Sequence, residues 1–344
     1  MTRRTVPWLA AGAALTSAVF AIRSMRRFTF AGRVVLITGG GRGLGLQLAR
    51  EAAARGAKLG LVARSAVELA AAATELRARG TLVETALCDV RDDDSVRLAF
   101  ERIARSLGPI DVLVNDAGVI EVGPIDALTI RDYEDALQTN VLGAIRAVES
   151  VRASMQARRS GRILNIASIG GKISVPHLLP YCASKFAMVG YSLGLRAELA
   201  RYGIVVTTAV PGLMRTGSPP NATFAGQPKK EYALFAPSDA LPFTSVSVES
   251  AARTILDGCE RGDAETIVSW QAKLAIALYA LAPRAVVWAL TGVGRILPDS
   301  GGSTEHRRGR DSESALTRSP LDARGHEATR TQNESLDAPA TSQS

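Results

Sequence analysis

The feature that most constrains this chain is a short apolar run that breaks directly into glycines. Residues 34–37 (Val-Val-Leu-Ile) lead into Thr38-Gly39-Gly40-Gly41-Arg42-Gly43-Leu44-Gly45, and an apolar helical period follows over 44–55. Few folds are compatible with a buried strand that ends in glycines and opens a helix. Glycines permit a tight turn and let another molecule approach bare backbone. The helix start offers unpaired N–H groups and the positive end of the helix dipole, which suits a phosphate. Glycine clusters occur in many turns, so the weight rests on the strand before and the helix after.

The same alternation continues downstream. Residues 59–62 form a second apolar run and 66–79 an alanine-rich helical stretch; 82–87, 112–114, 163–166 and 204–209 continue the strand series. Strands separated by helix-length segments imply right-handed crossovers and a parallel sheet covered on both faces. Composition agrees, because 47% hydrophobic but only 5% aromatic residues leave a core of Ala, Val, Leu and Ile, as parallel sheets prefer. The predicted class is α/β, a doubly wound parallel sheet (Rossmann fold), forming one domain over 28–269.

Three segments flank or interrupt this domain. In the leader, 1–27, arginines bracket an uncharged apolar run over 6–22. That is short for a bilayer span, which takes about 20 residues. It reads as a membrane anchor or membrane-lying helix; a signal peptide and an extra packed helix remain alternatives. Residues 270–298 are apolar apart from Lys273, Arg284 and Arg295, spaced eleven apart. At about 100° per residue the three charges return to one side of a helix, and Pro283 should kink it. Such a helix fits a membrane interface, or else a substrate cap or dimer contact. Residues 299–344 are polar and predicted to be disordered. Within the domain, 217–248 shows little periodicity and reads as a lid over the substrate.

The formal charge of +8 is compatible with an acidic ligand or an anionic membrane. No nucleic-acid-binding signature is present, so nucleic acid is not expected. Cys88, Cys182 and Cys259 form no C-x-x-C pair, which indicates neither a disulfide framework nor a metal site and fits a reducing compartment.

The second strand ends Leu61-Val62-Ala63-Arg64-Ser65. An acid there would accept from adenosine ribose hydroxyls, whereas arginine pairs with a 2′-phosphate. Ala63 holds the acid's position and Arg64 follows, with Arg42 in the glycine turn as a second cation, so NADP(H) is favoured over NAD(H). Tyr181-Cys182-Ala183-Ser184-Lys185 places a tyrosine and a lysine four residues apart, on one helix face. A free tyrosine titrates near pH 10, and a neighbouring ammonium stabilises its phenolate. The phenol can then exchange a proton with a substrate oxygen, while Ser168, at the end of the 163–166 strand, hydrogen-bonds that oxygen.

The T-G-x-x-x-G-x-G turn, the Asn115-Asp116-Ala117-Gly118 turn, Asn140, Ser168, Y-x-x-x-K and Pro211-Gly212 occur in an order and spacing that resembles the short-chain dehydrogenase/reductase family. The resemblance spans about 33–216 and more loosely reaches 269. It implies an oxidoreductase interconverting carbonyl and alcohol, with Asn140, Ser168, Tyr181 and Lys185 as its catalytic set. It also implies cofactor contacts from Thr38, Gly39, Gly41, Arg42, Gly43, Leu44, Gly45, Arg64, Asp89, Val90, Asn115, Ala117, Gly118, Tyr181, Lys185, Pro211, Gly212 and Thr216. Asp89 and Val90 would lie by the adenine, Asn140 would hold a water of a proton relay, and Lys185 would bind the nicotinamide ribose. A homo-oligomer is implied as well. Asp116 departs from the usual N-N-A-G. His177 falls where the family lines the substrate mouth, and no neighbour in sequence would orient it as a base. The apolar flanks suggest a hydrophobic substrate (lipid, steroid-like or long-chain) met at a membrane, with the catalytic domain in the cytoplasm. A soluble cytoplasmic enzyme is the alternative location. A non-catalytic NADP-binding sensor or scaffold and a nucleotide-sugar epimerase are the alternative functions; the intact Ser–Tyr–Lys set opposes the first, and the glycine spacing opposes the second.

Overall fold

A computed structural model of the chain describes residues 28–215, 218–240, 245–312, 329 and 331–334. The leader expected over 1–27 and the expected cofactor residue Thr216 lie outside the described residues. The elements follow one another as β1 (Val34–Thr38), α1 (Gly43–Ala54), β2 (Lys58–Ala63), α2 (Ala66–Ala78), β3 (Val83–Leu87), α3 (Asp93–Leu107) and β4 (Val112–Asn115). There follow α4 (Ile130–Leu137), α5 (Gly143–Arg158), β5 (Gly161–Ile166), α6 (Leu179–Leu199) and β6 (Ile204–Val210). The series ends with α7 (Pro228–Ala240), α8 (Val248–Arg261), β7 (Glu265–Ile267), α9 (Trp270–Leu281) and α10 (Pro283–Ile296).

The seven strands form one sheet in the order β3-β2-β1-β4-β5-β6-β7, and every pairing is parallel. The doubly wound class read from the sequence is therefore the observed one. Strand β1 shows why: all five of its residues are buried, and their side chains alternate between two cores. Val35 and Ile37 pack with α1, α2 and α8 through Leu46, Leu48, Leu69, Leu76 and Ile255. Val34 and Leu36 pack with α3 and α5 through Phe100, Ile103, Val148 and Met155. This is the period of two expected of a strand, with apolar cover on both faces. Each such Leu or Ile, fully buried, contributes about 1.5–3 kcal/mol from its own transfer out of water.

The strands run outward from β1 to β3 on one side and from β4 to β7 on the other, so the strand order switches between β1 and β4, and ligands of open α/β sheets bind at the strand ends beside such a switch point. Thr38, the last residue of β1, stands in register with Val62 of β2 and Asn115 of β4. The glycine turn, the Arg64 corner and the Asn115 turn therefore open onto one edge.

Three expectations change. Residues 217–248 contain a thirteen-residue helix, α7. Its Pro228 sits in the first turn, where proline's missing N–H costs nothing. Residues 270–298 do not form one kinked helix. Pro283 begins α10, and α9 and α10 meet at 115°, so Lys273 does not share a helix side with Arg284 and Arg295. Finally, part of the polar C-terminal stretch pairs with the domain. His306–Arg308 runs antiparallel to Thr223–Ala225, and 329 with 331–334 lies against the glycine turn; 313–328, 330 and 335–344 are outside the described residues.

Candidate active site and dinucleotide cradle

Thr38 ties the two turns together. Its hydroxyl accepts from the N–H groups of Asp116 and Ala117 at 3.1 and 3.2 Å. The turn is too tight for side chains at two points. A Cβ on Gly45 would stand 2.3 Å from the Gly39 carbonyl oxygen and 2.7 Å from an Asp116 carboxylate oxygen. Gly39 has φ +74°, and a Cβ there would stand 3.1 Å from the Ala117 backbone. Leu44 faces inward and is buried. Gly41 packs on Glu68, whose N–H is capped by Ser65. The turn is thus bare backbone at the start of α1, which is what a diphosphate requires.

Cations rim this cradle. Arg42 pairs with Glu68 at 3.3 Å and Glu334 at 3.6 Å. Desolvation, and then the nearby Arg91, Arg42 and Arg308 cations, pull the Arg64 guanidinium down against the opposing pull of Asp89. Three arginines thus lie close enough to act on a fourth, Arg64, and a rim of cations suits a polyanion. Asp89 does not face outward alone. Burial would raise its carboxyl, but bidentate bonding to Arg91 at 2.8–3.1 Å outweighs that and holds it below the usual range. Val90 is buried, where it meets the backbone of Gly143.

The Asn115 side chain points into the sheet. Its amide donates to Asn165 at 2.8 Å, Asn165 donates to Ser192 at 3.0 Å, and Thr208 donates to Ser192 at 2.7 Å. This buried polar chain fastens β4, β5 and β6 to α6. A Cβ on Gly118 would lie 3.1 Å from Asn140 Oδ1. Asn140 lies in a π-turn, Gln138–Leu142, between α4 and α5; such one-residue insertions recur at functional sites. Its Oδ1 accepts from Val119 N–H at 2.8 Å, and its Nδ2 donates to the Val119 carbonyl at 3.1 Å and Ser184 Oγ at 2.8 Å.

Ser168 follows β5 and caps a short turn by accepting from Gly170 N–H at 3.0 Å. Gly170 separates it from Tyr181. A Cβ there would lie 3.2 Å from Tyr181 Cε1 and 3.5 Å from Ser168 Oγ, so the phenol ring and the hydroxyl flank one small residue. Lys185, one turn further along α6, is 6% exposed. Its ammonium donates to the Ile166 carbonyl at 2.9 Å and lies 5.7 Å from the Tyr181 ring centre. Burial pulls the Lys185 ammonium down to about 8, opposed by the negative charge of Asp116. Burial pushes the Asp116 carboxyl up to about 7, against Lys185 and a hydrogen bond from Gly45 N–H. The family departure at 116 is thus an acid that touches the glycine turn and acts on the active-site lysine. The Pro211 carbonyl accepts from Ile169 N–H at 2.8 Å, and Gly212 lets the chain pass within contact of Ser269.

The structure therefore gathers Thr38, the glycine turn, Arg42, Arg64, Asn115, Ala117, Gly118, Asn140, Ser168, Tyr181, Lys185, Pro211 and Gly212 along one edge. It also supplies what the sequence reading lacked. His177 Nδ1 lies 2.9 Å from Glu231 of α7, so this histidine does have an orienting carboxylate. It sits at φ +64°, a left-handed conformation that costs a non-glycine residue energy. The partner is 54 residues away in sequence, on a helix that local pattern did not reveal.

The family model of the short chain dehydrogenases matches residues 33–223, and the chain belongs to this family. The putative ketoacyl reductase 1 of the granaticin polyketide synthase of Streptomyces violaceoruber is 39% identical over 190 residues, covering 55% of this chain and 70% of that protein. The 17-beta-hydroxysteroid dehydrogenase 13 of Rattus norvegicus is 35% identical over 199 residues, covering 56% and 65%. A gluconate 5-dehydrogenase from Burkholderia cenocepacia, solved with NADP and tartrate, superposes with a TM-score of 0.63 at 28% identity, covering 73% of this chain and 99% of that one. Structures of this fold have been solved with NADP and with NAD. The chain is thus a nicotinamide-dependent oxidoreductase that interconverts a carbonyl and an alcohol.

Proposed function

We propose that the chain reduces a hydrophobic ketone or aldehyde with NADPH, using Tyr181 as the proton donor. The observation that carries this is the convergence of Ser168 and Tyr181 on Gly170, with the Lys185 ammonium behind the ring. The residues of the cradle fit the dinucleotide: bare backbone at the glycine turn, arginines at its rim, and a carboxylate already resting there in the anion's place. Arg64 and Arg42 would hold the 2′-phosphate and the Gly43 N–H the diphosphate. When bound, the cofactor supplies a hydride to the carbonyl carbon. Ser168 donates a hydrogen bond to the substrate oxygen and fixes its position. The Tyr181 hydroxyl gives its proton to that oxygen, so the alcohol forms and a phenolate remains. Lys185, as an ammonium, stabilises that phenolate, and Asp116 keeps the lysine charged. The solvent side refills the proton, with Asn140 positioned to hold a water.

The hydrophobic substrate class rests on the α9–α10 pair. Trp270, Leu281, Trp288 and Ile296 are 67%, 84%, 79% and 83% exposed, and 270–297 contains cations but no carboxylate. Among the described residues no single helix is long and apolar enough to cross a membrane. An apolar surface with basic residues instead suits lying on an anionic bilayer. Gly294 of α10 approaches Pro176, beside His177, so this surface adjoins the expected substrate mouth. The deciding experiment is to follow NADPH oxidation with a panel of lipid-like ketones and aldehydes, in the native chain and in Tyr181→Phe. Turnover in the first and its loss in the second, with NADPH still bound, is the expected result. Binding of NADPH without turnover of any carbonyl would overturn the reading. Replacing Arg64 by Ala should weaken NADPH at least tenfold while leaving NADH unchanged; equal losses for both would remove the case for NADP(H).

A further inference from the structure

The C-terminal residues at the glycine turn make specific contacts with it. Gln332 and Glu334 are 1% and 4% exposed. The Gln332 carbonyl accepts from Gly43 N–H at 2.9 Å, and Asn333 Nδ2 donates to the Gly41 carbonyl at 3.1 Å. Arg50 of α1 donates to Gln332 Oε1 at 2.9 Å and to the Thr331 carbonyl at 2.7 Å. Asn221 donates to the Glu334 carbonyl at 3.0 Å and also binds its carboxylate. That carboxylate faces Arg42 at 3.6 Å. It lies so close to Gly43 that a Cβ on the glycine would stand 2.5 Å from Oε1.

These are groups that the phosphates of the dinucleotide would need. One N–H, that of Gly43, is already satisfied by a peptide carbonyl. One cation, Arg42, already faces a carboxylate. The bare backbone left open by glycine is covered by a side chain. The Glu334 carboxyl fills the space over Gly43 and faces the guanidinium that a phosphate would use at the positive end of the helix, and the two groups cannot share one surface at contact distance.

We propose that residues 331–334 are an internal competitor of the cofactor, docked on the glycine turn when the dinucleotide is absent and displaced when it binds. The inference rests on the reading of this turn as the cofactor cradle. A cradle that is open only part of the time binds with an apparent Kd raised by the inverse of its open fraction. The segment therefore sets the cofactor concentration at which the enzyme switches on, without touching the catalytic residues.

Two full-length variants test it. Asn333 adopts φ +58°, which proline cannot reach because its ring holds φ near −65°, so Asn333→Pro should undock the segment with no change of charge. Arg50→Ala should loosen the same segment from the other side. NADPH binding is read from the fluorescence of the reduced nicotinamide, and docking from hydrogen exchange at Gly43 in the cofactor-free chain. Both variants should bind NADPH at least fivefold more tightly than the native chain, mainly through faster association, and exchange Gly43 faster. Unchanged affinity together with unchanged exchange would overturn the proposal. If no form binds NADPH, the cradle reading itself fails; if all forms bind it equally, only the competitor is lost.

Discussion

At the scale of single residues, the site depends on a few atoms whose surroundings set their protonation. Tyr181→Phe removes the transferred proton and keeps the ring. General acid catalysis contributes about 10²–10⁴ in rate, so kcat should fall by that order while NADPH affinity stays within about threefold; steady-state kinetics and fluorescence titration measure the two. Asp116 offers a test with a definite sign. Its charge opposes the downward pull of burial on Lys185. In Asp116→Asn the lysine therefore loses its proton below a pH of about 8, and the alkaline decline in kcat/KM should begin at lower pH than in the native enzyme. A decline at the same pH would separate the two residues. Glu121 has no catalytic assignment and should behave differently. Burial, and then Asp132 and Asp135, push its carboxyl up to about 8, and its Oε2 has no hydrogen-bond partner among the described residues. The folded chain holds this proton while the unfolded chain releases it above about 4.5. Glu121 thus costs stability increasingly as pH rises from about 5 to 8. Glu121→Gln should raise the Tm more at pH 8 than at pH 5, by differential scanning fluorimetry.

At the scale of elements, legibility followed the range of the interaction. Strands β1 and β2 were readable because burial on both faces writes a nearly continuous apolar run; β5 and β6 were readable from the apolar residues that flank their buried Asn165, Thr207 and Thr208. The glycine turn was readable because its requirement is steric and local: Gly45 lies within contact of the Gly39 carbonyl. Tyr181 and Lys185 were readable because one helical turn joins them. Helix α7 was missed because its residues lack a clean apolar stripe and begin at a proline. The break between α9 and α10 differs in kind from the kink that Pro283 suggests, since the proline starts a new helix there. The partners of His177 and of Lys185 could not be read, because Glu231 and Asp116 are brought to them by packing across the sheet edge. The α9–α10 pair gives a prediction at this scale. Replacing Trp288 and Ile296 by glutamate should abolish sedimentation with anionic phosphatidylserine vesicles, while turnover of a water-soluble ketone is unchanged. Equal binding of the native and substituted chains would assign this surface to another partner, including a second copy of the chain.

At the scale of the whole molecule, one sheet edge gathers chemistry from residues 38 to 334, and the C-terminal contact makes the edge responsive to pH. Burial pushes the Glu334 carboxyl up to about 7, opposed by Arg42 and Asn221 and reinforced by Glu68 and Asp116; Arg310, bonded to Asn221, completes the charged surroundings. A docked segment thus holds a proton that a released one gives up above about 4.5. Docking weakens as pH rises through that window, so the gain in NADPH affinity on Asn333→Pro should be larger at pH 6 than at pH 8. Isothermal titration at both values measures it.

The attachment of that segment to its own target has a quantitative consequence. A tethered group meets its site at an effective concentration set by its attachment and not by the concentration of the whole chain. Dilution of the enzyme leaves the docked fraction unchanged, whereas a free peptide of the same sequence would have to be supplied at comparable concentration to act at all. Even weak intrinsic contacts at Gly43 and Arg42 therefore suffice to hold the cradle. Evolution can adjust the threshold by altering the connecting chain, while leaving every residue of the active site as it is.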